Sequence, residues 1–510
     1  LRDLGVDFTV TSMAVSGNHR WLYLGDGEGR VHSYVLPGLE QGEVVQAGEG
    51  AITAMTMLLG GISVLAGDSH GTVSQLFPVR GEDNTFRLRR IRQFQGGDSP
   101  LVRIITEQRR KGFLTLDEAG DLNVFHSTSG RRVLRDSLTA VQPRKLALSP
   151  RANGLLIETA DGGMRMLHID NEHPEVSFSS LWRRVWYENY EQPEFVWQSS
   201  ASTNEFEPKF SLTPLVFGTL KAAFYAMLFA VPLALMGAAY TAYFMSPELR
   251  KWVKPGIEIM AALPTVILGF LAGLWFAPWV EGHLAGLLLM LLMIPPGLLL
   301  FAWLWHRLQL TERLNVGEGW EPLLLVPALL GLGALSLWLA EPVQTVLFQG
   351  DLRTWLTNVA GISYDQRNAL VVGCAMGFAV IPTIFSIAED AVFGVPQSLS
   401  HGSLALGATP WQTLVLVVLP TASPGIFSAL MIGLGRAVGE TMIVLMATGN
   451  TPIMDWNLFE GMRTLAANIA VEMPESEVDS SHYRILFLAA LVLFMFTFIV
   501  NTGAELIRQR

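Results

Sequence analysis

Cysteine and charge are both scarce in this chain. Its one thiol, Cys374, lies in an apolar run, so no intrachain disulfide can form and cysteine says little about compartment. Only 16% of the 510 residues are charged, against 50% hydrophobic, and the mean hydropathy is +0.36. That is too apolar for one ordinary soluble domain and too long for one core. No block of the chain is a basic stripe and the net charge is −10, which argues against nucleic acid as a partner. A phosphate-cradling Gly-rich motif ending in Lys-Ser/Thr is also missing, so the chain is not expected to hydrolyse ATP itself.

The charge that is present is uneven. Residues 1–210 hold 22 Lys and Arg and 26 Asp and Glu, whereas the remaining 300 residues hold 13 and 19. The charged fraction halves near residue 210, so a polar domain precedes a membrane domain. Within the polar part four segments line up: LYLGDGEGRVHSY from Leu22, VLAGDSHGTVSQL from Val64, FLTLDEAGDLNVF from Phe113 and LLIETADGGMRML from Leu155. Each is a short apolar strand, a turn rich in Asp and Gly, and an alternating strand, which is a hairpin signature. The turn glycines Gly29, Gly71, Gly120 and Gly162 recur every 42 to 49 residues. With a further strand-like piece before each hairpin, this period predicts a β-propeller-like domain over 1–180. The alternative is a plain β-sandwich. Four blades can close a ring, but six to eight is commoner, so further blades are expected upstream of Leu1. His32, His70 and His168 sit at unrelated phases and read as surface residues, not metal ligands.

Residues 181–212 form an aromatic linker, read either as an interfacial anchor or as a linker packed on the propeller. From 213 to 510 seven stretches are long enough to span a bilayer: 215–243, 257–279, 284–306, 322–340, 367–388, 423–448 and 483–503. Pro264, Pro295, Pro296 and Pro382 interrupt them, as a working bundle tolerates better than a set of anchors. Arg250, Lys251, Lys254, Arg307, Arg313, Arg508 and Arg510 fall on one side, against Arg353, Arg367, Arg463 and Arg484 on the other. This mild bias puts the loop 389–420 in the cytoplasm and the propeller outside.

That loop contains GVPQSLSHGSLALGATPWQTLVLVVLPTASPGI, residues 394–426. A helix, a break at Gly407, Ala408 and Thr409, a second helix and a stop at Leu419-Pro420 predict a helix–turn–helix on the membrane surface. It resembles the coupling loop of ABC-importer permeases, in which Glu-Ala-Ala, three residues and a Gly precede an apolar run ending in Leu-Pro. Gly407 and Leu419-Pro420 keep that spacing. The Glu-Ala-Ala positions instead read His401, Gly402 and Ser403, which removes the carboxylate that usually anchors the ATPase contact.

Four further strings sharpen the likeness: GLGRAVGETMIVLMATGN (433–450), IEIMAALPTVILG (257–269), and the longer segments beginning at Pro214 and Tyr364. Together, over about residues 210–510, they resemble the PstC-type permease of phosphate ABC importers, in the variety with a large extra domain. Spans 284–306 and 322–340 look like an added pair beyond the usual six-helix core. The resemblance implies an all-α polytopic type I importer fold in the bacterial inner membrane. Its implied partners are a second permease (PstA-like), two ATPases (PstB-like) that bind the ATP, and a periplasmic phosphate receptor (PstS-like). No cofactor of the chain's own is implied. A permease for sulfate or molybdate, or a sensor or scaffold with a partner-binding propeller, are the alternatives.

The Gly-Arg-Ala-x-Gly-Glu-Thr string puts Arg436, Glu440 and Thr441 on the implied translocation path. A charge in a span costs roughly 2.5–3.5 kcal/mol, so something must offset it. On one continuous helix Arg436 and Glu440 would be one turn apart, in the weaker order for a helical ion pair. The expectation is that Arg436 meets a phosphate oxyanion with its planar fork, Glu440 neutralising it when the path is empty. A packing salt bridge is the plainer alternative. Gly433, Gly435 and Gly439 leave room for a close helix contact or an anion. Lys221, near the outer end of its span, reads as a funnel residue or a snorkelling one.

Overall fold

The computed structural model describes residues 5–138, 143–159, 161–200, 207–308 and 321–508, with side chains from 325 to 507 in the last stretch. Arg313, Arg510 and the side chain of Arg508, which enter the orientation argument, lie outside the described residues. The chain divides into two compact units, Leu1–Thr213 with Glu477–Ile485, and Pro214–Ser476 with Leu486–Arg510.

The first unit is built from antiparallel meanders. Strands β1 (Val10–Val15), β2 (Trp21–Asp26), β3 (Arg30–Val35) and β4 (Glu40–Gln46) form one four-stranded sheet in chain order. The next four strands, 52–95, and the four after them, 101–137, repeat the pattern, and a three-stranded sheet follows at 143–168. Chain-order meanders of this size are propeller-like blades, not the two exchanged sheets of a sandwich. Apolar residues facing between sheets make the core: Tyr23, Val31, Ile52 and Val64 in one layer, Leu65, Phe94, Phe113 and Phe125 in the next.

The repeated turns have a common cause. Gly29, Gly71, Gly120 and Gly162 all take φ near +80°, a region other residues enter at a cost. In the first two, the preceding Asp closes the turn with its own carboxylate. Asp26 Oδ1 accepts from the N–H groups of Glu28 and Arg30, and Asp68 Oδ1 from those of His70 and Thr72. This repetition makes His32 a buried residue, not the surface residue its phase suggested. It stacks on Phe8 at 3.8 Å and its Nε2 lies 2.9 Å from Asp26 Oδ2.

The aromatic segment 181–200 and 207–212 packs on the blades. Tyr187, Trp197 and Phe210 are buried, and Trp186 meets Phe77 edge-on at 6.3 Å. Its Glu188 holds Lys111 Nζ at 2.5 Å, while Arg92 donates to the Trp186 carbonyl. Nearby, burial pushes the carboxyl of Glu207 up to about 7, with Glu188 adding and Lys111 and Arg92 opposing. Burial takes His126 down to about 3. A raised carboxyl pKa means that the folded state keeps a proton the unfolded state loses, so Glu207 subtracts stability as pH rises from its ordinary 4.5 to about 7. In Glu207→Gln the melting temperature of the first unit, relative to the parent, should climb across that window and stay level above it. Differential scanning calorimetry of the detergent-purified chain over pH reads this.

Among the described residues, seven helices are long and apolar enough to cross a membrane. They are α2 (Thr213–Tyr243), α4 (Thr265–Gly282), α5 (Leu284–Arg307), the span Leu325–Asn358 made of α6 (Glu321–Leu347) and α7 (Leu352–Asn358), α8 (Ala369–Phe393), α10 (Pro410–Gly439) and Ser481–Ile507. A short helix, α1 (Phe178–Trp182), lies in the first unit. Several expected boundaries move: the span expected at 322–340 runs to Asn358, and that expected to reach 448 ends at Gly439. Ile257–Met260 ends a separate helix, α3 (Pro247–Met260), because Pro264 keeps the residue before it out of helix and restarts the chain as the cap of α4. The expected span at 423–448 begins instead at Pro410. Helices α2 and α8 approach closely through small residues: a side chain at Gly377 would sit 3.1 Å from the Ala226 carbonyl.

Candidate functional site

The loop 394–409 is a helical hairpin. Helix α9 (Gln397–Ala405) carries His401, Gly402 and Ser403; Gly407 turns the chain at φ +90°, which favours glycine. Thr409 then starts α10 with a reciprocal cap: its Oγ1 accepts from the Gln412 N–H at 3.2 Å, and the Gln412 side chain accepts from the Thr409 N–H at 2.8 Å. The hydroxyls of Ser403 and Thr413 meet at 2.9 Å across the turn. Val392 and Val395, at and just past the end of α8, pack against Leu414, Val418 and Ala422 of α10, which fixes the base of the hairpin. Leu406, 92% exposed, and Trp411, 65% exposed, stand out from it.

The expected stop at Leu419-Pro420 is not one. The helix runs through it, because the turn Leu414–Val418 widens to a π-helix, with Leu419 N–H bonded to the Leu414 carbonyl. Proline lacks an N–H and crowds the carbonyl four residues back, so one wider turn absorbs the fault without ending the helix.

The opposite correction applies further on. The helix that carries Arg436 ends at Gly439, so Glu440, one turn further on, leaves it as an extended residue and is not part of a continuous helix. Arg436 lies in the last turn of α10; Glu440 is the extended residue after it, at φ −69° and ψ 124°; Thr441 opens α11 (Met442–Ala447). No ion pair joins Arg436 and Glu440 within 4 Å among the described residues. The half-buried guanidinium donates to Thr383 Oγ1 on α8, just after Pro382. Glu440 Oε1 accepts from the Met442 N–H at 3.2 Å, and Thr441 Oγ1 donates to the Gly439 carbonyl at 3.3 Å.

Physics favours this arrangement over a helical pair. The cation sits at the negative end of one helix and the anion at the positive end of the next, worth roughly 0.3–1 kcal/mol each. Each charge also takes one hydrogen bond, worth about 1.5–3 kcal/mol for a charged group. Together these match the insertion cost of a charge in a span, without either group neutralising the other.

Glycines set the break in place. A side chain at Gly433 would fall 2.4 Å from Ile384 Cγ1, and one at Gly435 2.5 Å from Asn501 Oδ1, so both make close helix contacts. Gly439, exposed, has nothing within 4 Å of a built Cβ. On the far side, Gly269 and Gly273 of α4 leave only 2.7 and 2.3 Å to the carbonyls of Met442 and Met446. Residues 269–273, GFLAG, are a Gly-x-x-x-Gly pair that could have been read from sequence as a helix-contact face. Thr383 carried only a faint signal, a hydroxyl beside a proline in a span.

Lys221 is neither a funnel residue nor a snorkelling one. It is fully buried, and its Nζ donates to the Glu460 carbonyl at 3.3 Å. The same loop is tied by the Tyr225 hydroxyl to the Trp456 carbonyl at 2.6 Å and by Arg463 to Glu472 at 2.6 Å.

A bundle of apolar, proline-bearing spans, a helical hairpin at one end and a charged break inside define a multi-pass transport permease. The chain belongs to the family of binding-protein-dependent transport system inner membrane components, which matches residues 230–510. It is 29% identical over 312 residues to the phosphate transport system permease protein PstC of Xylella fastidiosa, covering 61% of this chain and 78% of that one. To PstC of Pasteurella multocida it is 26% identical over 335 residues, covering 65% and 80%. To PstC 1 of Mycobacterium tuberculosis it is 26% identical over 295 residues, covering 57% and 70%.

Proposed function

We propose that this chain is one membrane subunit of an ATP-driven phosphate importer. It would share the translocation path with a second, PstA-like permease, take energy from PstB-like ATPases that bind the ATP, and receive phosphate from a PstS-like receptor outside. The observation that carries the reading is the half-buried guanidinium of Arg436, held by a hydroxyl and, among the described residues, by no carboxylate. A fork so held keeps donors for an oxyanion and matches its geometry. Thr383 orients it; Glu440 and Thr441 shape the break beside it. The relatives' names favour phosphate over sulfate or molybdate. Uptake of labelled phosphate by the reconstituted transporter tests this: phosphate should be taken up, and excess sulfate or molybdate should not compete. Uptake that either of them abolishes would assign the path to another anion.

In this reading the hairpin of His401, Gly402, Ser403, Gly407, Ala408 and Thr409, running on through Leu419 and Pro420, faces the cytoplasm and docks on an ATPase. The first unit then lies on the receptor side. With no carboxylate at 401, the contact relies on the apolar Leu406 and Trp411. Leu406→Asp should cut the ATPase that co-purifies from detergent at least about tenfold, as loss of one apolar anchor does, while His401→Ala should leave it near parental.

A further inference from the structure

Helix α3 is an amphipathic segment with one buried residue, Leu249; Trp252 is 81% and Ile259 68% exposed. Ile257, half-buried, packs against the main core, and charge clasps the helix to α8. Glu389, in the last turns of α8 and fully buried, receives Arg250 on Oε1 and Lys254 Nζ at 2.7 Å on Oε2. Lys254 also reaches Asp390 at 2.8 Å, and the Arg250 guanidinium lies 3.7 Å over the Phe393 ring. Both oxygens of one buried carboxylate are thus spent on two cations of a single helix, one turn apart.

The position of this clasp matters. Three residues beyond Glu389, Val392 enters the cluster that packs the first turns of α10, which continue the hairpin, onto the end of α8. At its other end α3 leads through Leu263 and Pro264 straight into α4, whose Gly269 and Gly273 touch the backbone of α11 just after the break at Glu440. Packed elements of this kind move as bodies, not by continuous deformation.

Resting on the transport reading above, we infer that Glu389 is a positioning residue for transport. It makes α3 follow the end of α8 when the hairpin is displaced, and so carries the displacement to α4 and the helix break beside Arg436. Glu389 does not meet the anion. Removing its charge therefore disconnects ATP hydrolysis from transport without removing the path.

The experiment uses the complete transporter in proteoliposomes, with phosphate uptake and ATP hydrolysis measured on the same vesicles. The parent must take up phosphate; if it does not, the functional reading fails and not the clasp. Given such a parent, Glu389→Gln should lower phosphate moved per ATP about fivefold, within the range that coupling substitutions reach, with hydrolysis close to parental. Glu389→Asp, which keeps the carboxylate, should recover at least about half of that loss. Uptake and hydrolysis that fall in proportion, or do not fall, overturn the proposal. Should Glu389→Gln yield no assembled complex, Lys254→Gln removes one cation from a partly exposed position, and the same ratio decides: a fall supports the clasp and a parental ratio overturns it.

Discussion

Arg436→Gln should abolish phosphate uptake while the transporter still assembles. A guanidinium that gives two charge-assisted hydrogen bonds to an oxyanion contributes about 3–4 kcal/mol, so the loss expected is about 100-fold or more. Arg436→Lys keeps the charge but not the fork and should retain a few per cent of uptake at most. Glu440→Gln behaves differently, because Glu440 caps α11 and does not pair with Arg436. The amide oxygen of Gln can still accept from the Met442 N–H, so only the charge at the helix start is lost, about 0.3–1 kcal/mol, and uptake should fall less. The double variant is the informative one. Were the two groups an ion pair, Glu440→Gln would relieve the orphaned partner and partly restore Arg436→Gln. With each group satisfied separately no restoration is expected. Uptake by the four proteins, normalised to assembled complex, measures the coupling directly.

The second large effect is steric. In Gly273→Val the new Cβ would lie 2.3 Å from the Met446 carbonyl oxygen, which belongs to backbone and cannot swing aside. Either α4 or α11 has to shift, at a cost of about 1–3 kcal/mol for overpacking. Since α11 begins at the break beside Arg436, the shift should bring uptake to background even in chains that insert and assemble. Gly256→Val, where nothing lies within 4 Å of the added atom, is the control and should keep uptake near parental. Equal losses in both would show that Gly273 has no special place.

Much of this architecture was legible from the residues. The four Asp/Gly turns announced the blades because one local solution, a left-handed glycine in a tight turn, repeats at a fixed period. The spans were legible because a bilayer imposes a minimum length of apolar residues. What the sequence hid was where helices start and stop inside those spans. Pro420 reads as a terminator, yet a π-turn carries the helix past it. Glu440 reads as mid-helix, yet the helix ends at Gly439 and Glu440 is extended. Both outcomes depend on what neighbouring helices offer: α4 supplies the bare glycine surface that receives α11, and α8 supplies the hydroxyl that receives Arg436. His32 and Lys221 were misplaced for the same reason, since the Asp26 carboxylate and Glu460 carbonyl that make their burial tolerable come from other turns of the fold.

The most direct test of the account is whether an anion passes beside Arg436. Gly439→Cys, in a Cys374→Ala chain, places one thiol at the open position three residues after Arg436 and leaves Arg436 intact. In the assembled transporter supplied with receptor and ATP, a charged water-soluble thiosulfonate should modify that thiol, and phosphate should slow the modification. A thiol that reacts only with lipid-soluble reagents, or at a rate phosphate does not change, would contradict the account.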